Sequence, residues 1–172
     1  MVLMFGAMRL KNLTYKVDRE IEDKFAPIIK NILGNIFISK EEIDDLEKAT
    51  DFAIYHIQPF SVAVRLRRFE YFPTFHNQFT IRWRRPSGVR TEIDKIRDKE
   101  VEYLFYGFLS PTQDFIIQYF IADLKQFQNQ EPMRIFPNNP HDSDLAIYHI
   151  NQFPASFIVK FYCHPEYEKM KR

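Results

Sequence analysis

Two stretches of the chain alternate arginine with apolar residues, and this pattern strongly constrains the local fold. The first is VAVRLRR, with Arg65 and Arg67, and the second is FTIRWRR, with Arg82 and Arg84. Successive side chains of a β-strand point to opposite faces, so the two arginines of each pair share one face. The pattern therefore predicts two strands, each with an apolar face and a guanidinium face.

Positive charge is concentrated around these strands. Seven arginines and a single acid, Glu70, fall between Val62 and Arg90, although the formal net charge of the chain is only +1. Arginine binds phosphate oxygens two at a time and stays charged at any ordinary pH. We interpret the two strands as a hairpin whose arginine face binds nucleic acid. The residues predicted to bind are Arg65, Arg67, Arg82, Arg84 and Arg85. Alternatively, acids in 41–51 or 92–102 neutralise the arginines in a structural salt network.

The composition is that of a soluble globular protein. The chain has 172 residues, of which 45% are hydrophobic and 27% charged, so we interpret 1–172 as one domain. Only four glycines occur, whereas loops that cradle phosphates need several close together. Nucleotide-cofactor enzymes and α/β-hydrolases are therefore disfavoured.

Cysteine content and the N-terminal segment bear on location. A single cysteine, Cys163, allows no internal disulfide and fits a reducing compartment. The segment MVLMFGAM is too short for a membrane span and lacks the basic start of a signal peptide. We therefore predict a cytoplasmic protein without a membrane partner, with residues 1–8 poorly ordered.

The order of elements predicts a mixed fold. A helix is expected from Asp18 to about Leu33 and a second over 39–48, followed by strand patterns in DFAIYHI, in the two arginine runs, in EYLFYGFL and in DFIIQYFIADL. The stretch 126–143 contains three prolines and predicts a long loop before two closing strands, SDLAIYHI and SFIVKFY. The predicted fold class is α/β or α+β, with a mixed central sheet flanked by helices.

Acidic residues flank the arginine strands. Asp51 precedes the first strand pattern, and Glu92, Asp94 and Lys95 follow the second arginine run in TEIDKI. Hydrolysis of a phosphodiester with Mg²⁺ or Mn²⁺ needs carboxylate oxygens to hold the metal and a cation to assist the attacking water. We predict metal ligation by Asp51, Glu92 and Asp94, and catalysis by Asp51, Glu92 and Lys95.

This order of elements resembles the restriction-endonuclease-like, or PD-(D/E)xK, nuclease superfamily over roughly residues 18–124. In that superfamily an aspartate opens one strand and E-x-K lies in the next. Asp51 matches the first position, and the nearby carboxylate–lysine set, Glu92 to Lys95, is spaced E-x-x-K. The segments AVRLRR, FTIR and TEIDKI are also similar to small nucleases of phages and archaeal viruses. The resemblance implies a metal-dependent nuclease, active in the cytoplasm or in the host cell of a virus.

Other interpretations of the same residues stay open. Asp51 is also suited to the turn before a strand, and Glu92 and Asp94 to the start of a helix that Thr91 caps. The alternative functions are a non-catalytic nucleic-acid-binding module and a viral assembly protein. DNA is favoured over RNA as the partner, and a homodimer is left open.

Overall fold

The computed structural model describes residues 19–36, 60–127, 130–137 and 143–171. The chain divides into two compact units, Met1–Ile57 and Gln58–Arg172. In the first unit the described element is a helix, α1, over residues 19–36, which buries Phe25 and Ile29 at a spacing of about one turn. The helix continues through Pro27, and the prediction of a helix in this region is confirmed.

The second unit holds the strands and three short helices. The strands are β1 (Val62–Arg67), β2 (Gln78–Arg84), β3 (Tyr103–Leu109), β4 (Ile116–Asp123), β5 (Arg134–Phe136), β6 (Asp144–His149) and β7 (Ile158–Cys163). The helices are α2 (Phe72–Phe75), α3 (Glu92–Arg97) and α4 (Pro165–Glu168), with single 3-10 turns at Phe69–Tyr71, Leu124–Phe127, Ile150–Gln152 and Ala155–Phe157.

These strands form two sheets. The larger has the order β1-β3-β4-β7, in which β1 runs parallel to β3 and the other neighbours are antiparallel. The smaller has the order β2-β6-β5 and is antiparallel throughout. Within the described residues β1 and β2 are therefore edge strands of different sheets.

An aromatic core joins the two sheets. Phe79 on β2 is fully buried, and its ring meets Tyr106 on β3 edge to face at a centroid distance of 6.3 Å. The same ring meets Phe120 on β4 at 5.8 Å and stacks on Tyr148 of its own sheet at 5.4 Å. Such aromatic pairs add to the free energy of apolar burial. The sheets thus pack face to face, and each keeps a second face directed away from this core.

The mixed α and β character is confirmed, and so are the strands predicted in EYLFYGFL, DFIIQYFIADL, SDLAIYHI and SFIVKFY. The prediction of a single central sheet is wrong, because the described strands divide between two sheets. The prediction that the two arginine strands form a hairpin is also wrong. The connection from β1 to β2 is not a tight turn but holds the turn Phe69–Tyr71 and α2, and it anchors the fully buried Phe72 in the core.

The loop predicted over 126–143 contains a strand, β5, between Pro132 and Pro137. Because prolines disfavour the interior of a sheet, the sequence pointed to a loop there. β5 is an edge strand only three residues long, where flanking prolines are tolerated. The predicted second helix, the strand DFAIYHI and Asp51 lie outside the described residues, and the one-domain interpretation stays a prediction.

Candidate nucleic-acid interface

Arg65 of β1 is engaged inside the protein. Arg65 Nη2 donates to Glu92 Oε2 at 2.5 Å, and the two side chains are only 17% and 16% exposed. The same oxygen accepts the backbone N–H of Arg82 on β2 at 3.1 Å. This hydrogen bond uses a donor at the free edge of β2. Glu92, the first residue of α3, thereby ties the edge of one sheet to the edge of the other.

The start of α3 explains where the predicted acids lie. Thr91 and Asp94 form a capping box, in which the Thr91 backbone N–H donates to Asp94 Oδ2 at 2.7 Å and the Thr91 hydroxyl donates at 3.0 Å. These bonds favour the carboxylate, chiefly the one from the backbone N–H, and lower the pKa of Asp94. Asp94 therefore has a structural role at the helix start, while Lys95 lies exposed on the next helical position.

The described residues contain no group of three His, Cys, Asp or Glu side chains placed to hold a metal ion. Glu92 and Asp94 are each committed to hydrogen bonds of the fold. Asp51, the third predicted ligand, lies outside the described residues. Metal ligation by these residues stays a prediction.

The arginines of β2 differ from Arg65 in their exposure. Arg82 is exposed, and the Arg84 side chain is 77% exposed although its Nη2 donates to Asp144 Oδ2 at 3.2 Å. Neighbouring apolar residues explain the arrangement, since Phe79 and Ile81 point into the core on the opposite face. The predicted alternation holds from Phe79 to Arg82, which places Arg82 on the face away from the core, and a register shift between Arg82 and Arg84 interrupts it.

Strand pairing adds residues to this cationic face that the sequence did not indicate. Arg82 on β2 is paired with Leu145 on β6, and Leu145 is paired with Phe136 on β5, so the three side chains form one row on the same face. The next row on that face runs from Thr80 through Ile147 to Arg134. We call Arg82, Arg134 and Phe136 the outer-face cluster.

Phe136 gives the outer-face cluster an aromatic surface. Its side chain is 47% exposed, and the Arg134 guanidinium lies over its ring, 5.6 Å from the centroid. An exposed phenyl ring beside arginines is the combination that binds single-stranded nucleic acid, by stacking on bases and pairing with phosphates. The signal in the sequence was the short run Met133 to Phe136 between two prolines, and the proline-rich context concealed it.

Other arginines in and near this region contact aromatic rings or acidic side chains of the protein. The Arg67 guanidinium lies 4.9 Å from the ring centroid of Tyr71, and Arg97 lies 4.8 Å from that of Trp83. Arg90 pairs with Asp98 and, at 2.8 Å, with Glu100, and the Glu100 carboxylate is the main cause of its raised pKa. Arg85 is half-buried beyond the end of β2. The salt-network interpretation thus fits Arg65 and Arg90, whereas phosphate binding fits Arg82.

Comparisons with known proteins give no further assignment: no protein family, curated protein or solved structure matches this chain. In the described part of the chain, no helix has the length and apolar character needed to cross a membrane.

Proposed function

We propose that this protein binds single-stranded nucleic acid on the outer face of its three-stranded sheet. The observation that carries the proposal is the row of Arg82, Leu145 and Phe136 across β2, β6 and β5. It sets an exposed ring and a cation on one surface, with Arg134 beside the ring.

The distances suit this chemistry. Neighbouring strands lie about 4.8 Å apart, so Arg82 and Phe136, on the two outer strands, are separated by roughly 10 Å across the sheet. An extended strand can place a base on Phe136 and a neighbouring phosphate on Arg82 or Arg134. Arg84, whose side chain is 77% exposed, adds positive charge beyond the register shift that follows Arg82.

Binding to a fluorescent single-stranded oligonucleotide in EDTA, followed by anisotropy at several salt concentrations, tests the proposal. We expect log affinity to fall with log salt by about 0.7 per neutralised phosphate. The Arg82→Ala and Arg134→Ala variants should weaken binding and each reduce this slope by about 0.7. DNA and RNA oligonucleotides and a duplex are compared in parallel, with the DNA strand expected to bind at least as well as the RNA strand.

The Arg90→Ala variant is the matched control. It removes the same charge from an exposed side chain, but Arg90 is paired with Asp98 and Glu100 and lies off the outer-face cluster. Equal loss of affinity in Arg82→Ala and Arg90→Ala would contradict a defined binding surface. If the protein does not bind nucleic acid at low salt, that result would instead support the viral assembly interpretation.

Metal-dependent cleavage of the bound strand is the second candidate function. It is favoured by the position of Glu92, beside the proposed path of the phosphates. The Oε2 atom of Glu92 lies 3.1 Å from the backbone nitrogen of Arg82. The sequence assigns Asp51 and Glu92 as ligands of Mg²⁺ or Mn²⁺ and Lys95 as the residue that assists water. The guanidinium of Arg65, at 2.5 Å from Glu92, opposes a divalent cation there, so binding has the stronger support.

The same oligonucleotide, incubated with Mg²⁺ or Mn²⁺ and analysed on a denaturing gel, tests cleavage. Metal-dependent shortening that Asp51→Asn and Lys95→Ala abolish would support it. An intact strand, or cleavage that both variants retain, contradicts these catalytic assignments and leaves the binding proposal unaffected.

A further inference from the structure

A cleft of about 860 Å³ opens where α3 ends and the chain leaves β4. Its volume is within the range of sites that bury a small organic molecule. The lining residues come from the segment 96–102 and from residues 124–127, 130 and 131. The cleft lies at one end of the sheet packing, and it shares no residue with the outer-face cluster.

The floor of the cleft is apolar and well packed. Ile96, Leu124 and Phe127 line it, and each is at most 6% exposed. The Phe127 ring stacks on Phe153 at 5.5 Å and meets Tyr148 edge to face at 5.0 Å, which fixes its orientation. A fixed aromatic and aliphatic floor favours a flat, apolar ligand group.

Cations and polar groups surround this floor. Arg97, Lys99 and Lys125 supply positive charge, and Lys125 lies 3.9 Å from Glu102, a distance that leaves the pair weak. Gln130 and Glu131 supply hydrogen-bond acceptors from the second segment. The lining therefore suits a ligand with an anionic group at one end and N–H donors on a flat ring.

Lys99, which lines the cleft, has an unfavourable backbone conformation. Its φ angle is 60°, in the left-handed region that normally favours glycine. The backbone there closes α3, because the Glu100 N–H donates to the Lys95 carbonyl and the Lys99 N–H to the Ile96 carbonyl. Glycine is the usual residue at this position of such a helix end. A lysine in a strained conformation that also lines a cleft indicates a function for its side chain.

A buried polar group lies close to the same floor. The Tyr148 hydroxyl is buried and makes no hydrogen bond in the described structure. Burial raises the pKa of Tyr148 to about 12, while Arg97 and Glu131, both in the cleft lining, act on it in opposite directions. An unpaired buried hydroxyl costs free energy, although Tyr148 itself does not line the cleft.

We propose that this cleft binds a nucleoside monophosphate, with the base against the exposed edge of the apolar floor and the phosphate at Lys99 and Arg97. The size, the flat apolar floor, the cations and the acceptors for exocyclic amino groups together match this ligand class. The nucleotide is either free or the phosphorylated end of a strand, and in the second case the proposal extends the nucleic-acid binding described above.

Trp83 offers a local readout, because it is the only tryptophan and Arg97 of the cleft lies over its ring. Its fluorescence is followed on titration with AMP, adenosine and inorganic phosphate, with excitation at the red edge where the base absorbs little, and calorimetry supplies the affinity. We expect AMP to bind at least tenfold more tightly than adenosine or phosphate alone. AMP binding no tighter than that of inorganic phosphate would overturn the proposal.

Variants separate the cleft from general charge. Lys99→Ala should weaken AMP binding about tenfold, since a charge-assisted hydrogen bond is lost, and Lys99→Arg should retain most of the affinity. Lys160→Ala is the matched control, because Lys160 is an exposed lysine on β7 that does not line the cleft. Equal affinities of Lys99→Ala and the wild type would also overturn the proposal.

The strained backbone gives a second, independent pair of variants. Lys99→Gly should raise the thermal midpoint and still weaken AMP binding, because it relieves φ and removes the ligand contact. Gln113→Gly relieves the only other non-glycine positive φ of the described residues, 56°, and should raise the midpoint without changing AMP affinity. A Lys99→Gly protein that is more stable and binds AMP normally contradicts a role for this side chain.

The two sources of the nucleotide are distinguished by competition. An oligonucleotide with a 5′-phosphate that displaces AMP, when its unphosphorylated form does not, supports a strand end in the cleft. AMP binding that neither oligonucleotide displaces supports a free nucleotide. The Arg82→Ala variant should bind AMP normally, so a failure of the outer-face proposal leaves this result unaffected.

Discussion

The strands β1 and β2 carry almost the same sequence pattern and serve different purposes. On β1, Arg65 is held by Glu92 in a largely buried pair, whereas on β2 the side chains of Arg82 and Arg84 are exposed. Alternation with apolar residues sets the face of each arginine but not its partner. One arginine pattern can therefore either join two sheets or present charge to a ligand.

Loss of the β1 contact is expected to have the largest effect on stability. Glu92→Ala removes the acceptor of both Arg65 and the Arg82 N–H, so a mostly buried guanidinium is left without its partner. We expect the free energy of unfolding to fall by about 2 kcal/mol, measured by urea denaturation. A loss below about 0.5 kcal/mol would contradict the structural role of Glu92.

Binding of single-stranded nucleic acid should depend on the sheet that contains β2. Phe136→Ala removes the exposed ring beside Arg134, and base stacking on an aromatic side chain is worth about 1–3 kcal/mol. We expect single-strand affinity to fall about tenfold in the anisotropy assay. Phe161→Ala is the matched control, because Phe161 is also exposed and has a cation, Lys171, over its ring, but lies on the other sheet. A similar loss in both variants would break the assignment of the outer-face cluster.

The capping box at the start of α3 affects both strands because it positions Glu92. Asp94→Ala removes the acceptor of the Thr91 N–H and hydroxyl, and should lower the unfolding free energy by about 1 kcal/mol at neutral pH. Since the folded pKa of Asp94 is lowered, its contribution is fully present above the unfolded pKa of about 3.9.

That contribution should disappear as the pH falls through the lower folded pKa of Asp94. The difference between wild type and Asp94→Ala in urea midpoint should therefore shrink below about pH 4. Glu70→Ala, which removes an exposed acid, is the control and should show no such convergence. A difference that persists at acid pH would exclude the carboxylate as its source.

The smallest effect is expected for the exposed pair on β2. Asp144→Ala removes the partner of Arg84, whose side chain is 77% exposed, and exposed pairs contribute little. We expect a loss of about 0.3 kcal/mol in the same urea experiment, with single-strand affinity equal to the wild type or higher. A loss as large as that of Glu92→Ala would remove the distinction between the two strands.

Local patterns predicted much of the fold. Alternation identified β1, β2 and β6, and the apolar runs identified β3 and β4, because burial on one or both faces leaves a periodic signal. Strand partners were not predictable in this way. β1 pairs in parallel with β3, and β2 pairs with β6, whose residues lie 60 or more positions further along the chain. Such pairings depend on core packing between distant segments such as Phe79 and Tyr106.

The candidate site was predicted only in part, for the same reason. Arg82 could be assigned to a face from sequence, while the register shift before Arg84 could not, and Arg134 and Phe136 join the face of Arg82 only through the pairing of β5 with β6. Conversely, the acid proposed as a metal ligand, Glu92, lies against Arg65, 27 positions away. An ion pair requires atoms within a few ångströms, which no local pattern specifies.

Local sequence is enough to specify which residues of a regular strand share a face, since backbone geometry fixes the two faces of a strand. It also determined the start of α3, where Thr91 and Asp94 cap their own helix through local hydrogen bonds. Only the tertiary structure decided which arginines are paired inside the protein and which face outward. Charge partners are selected by the three-dimensional packing of the two sheets, and that packing is set by long-range contacts in the aromatic core.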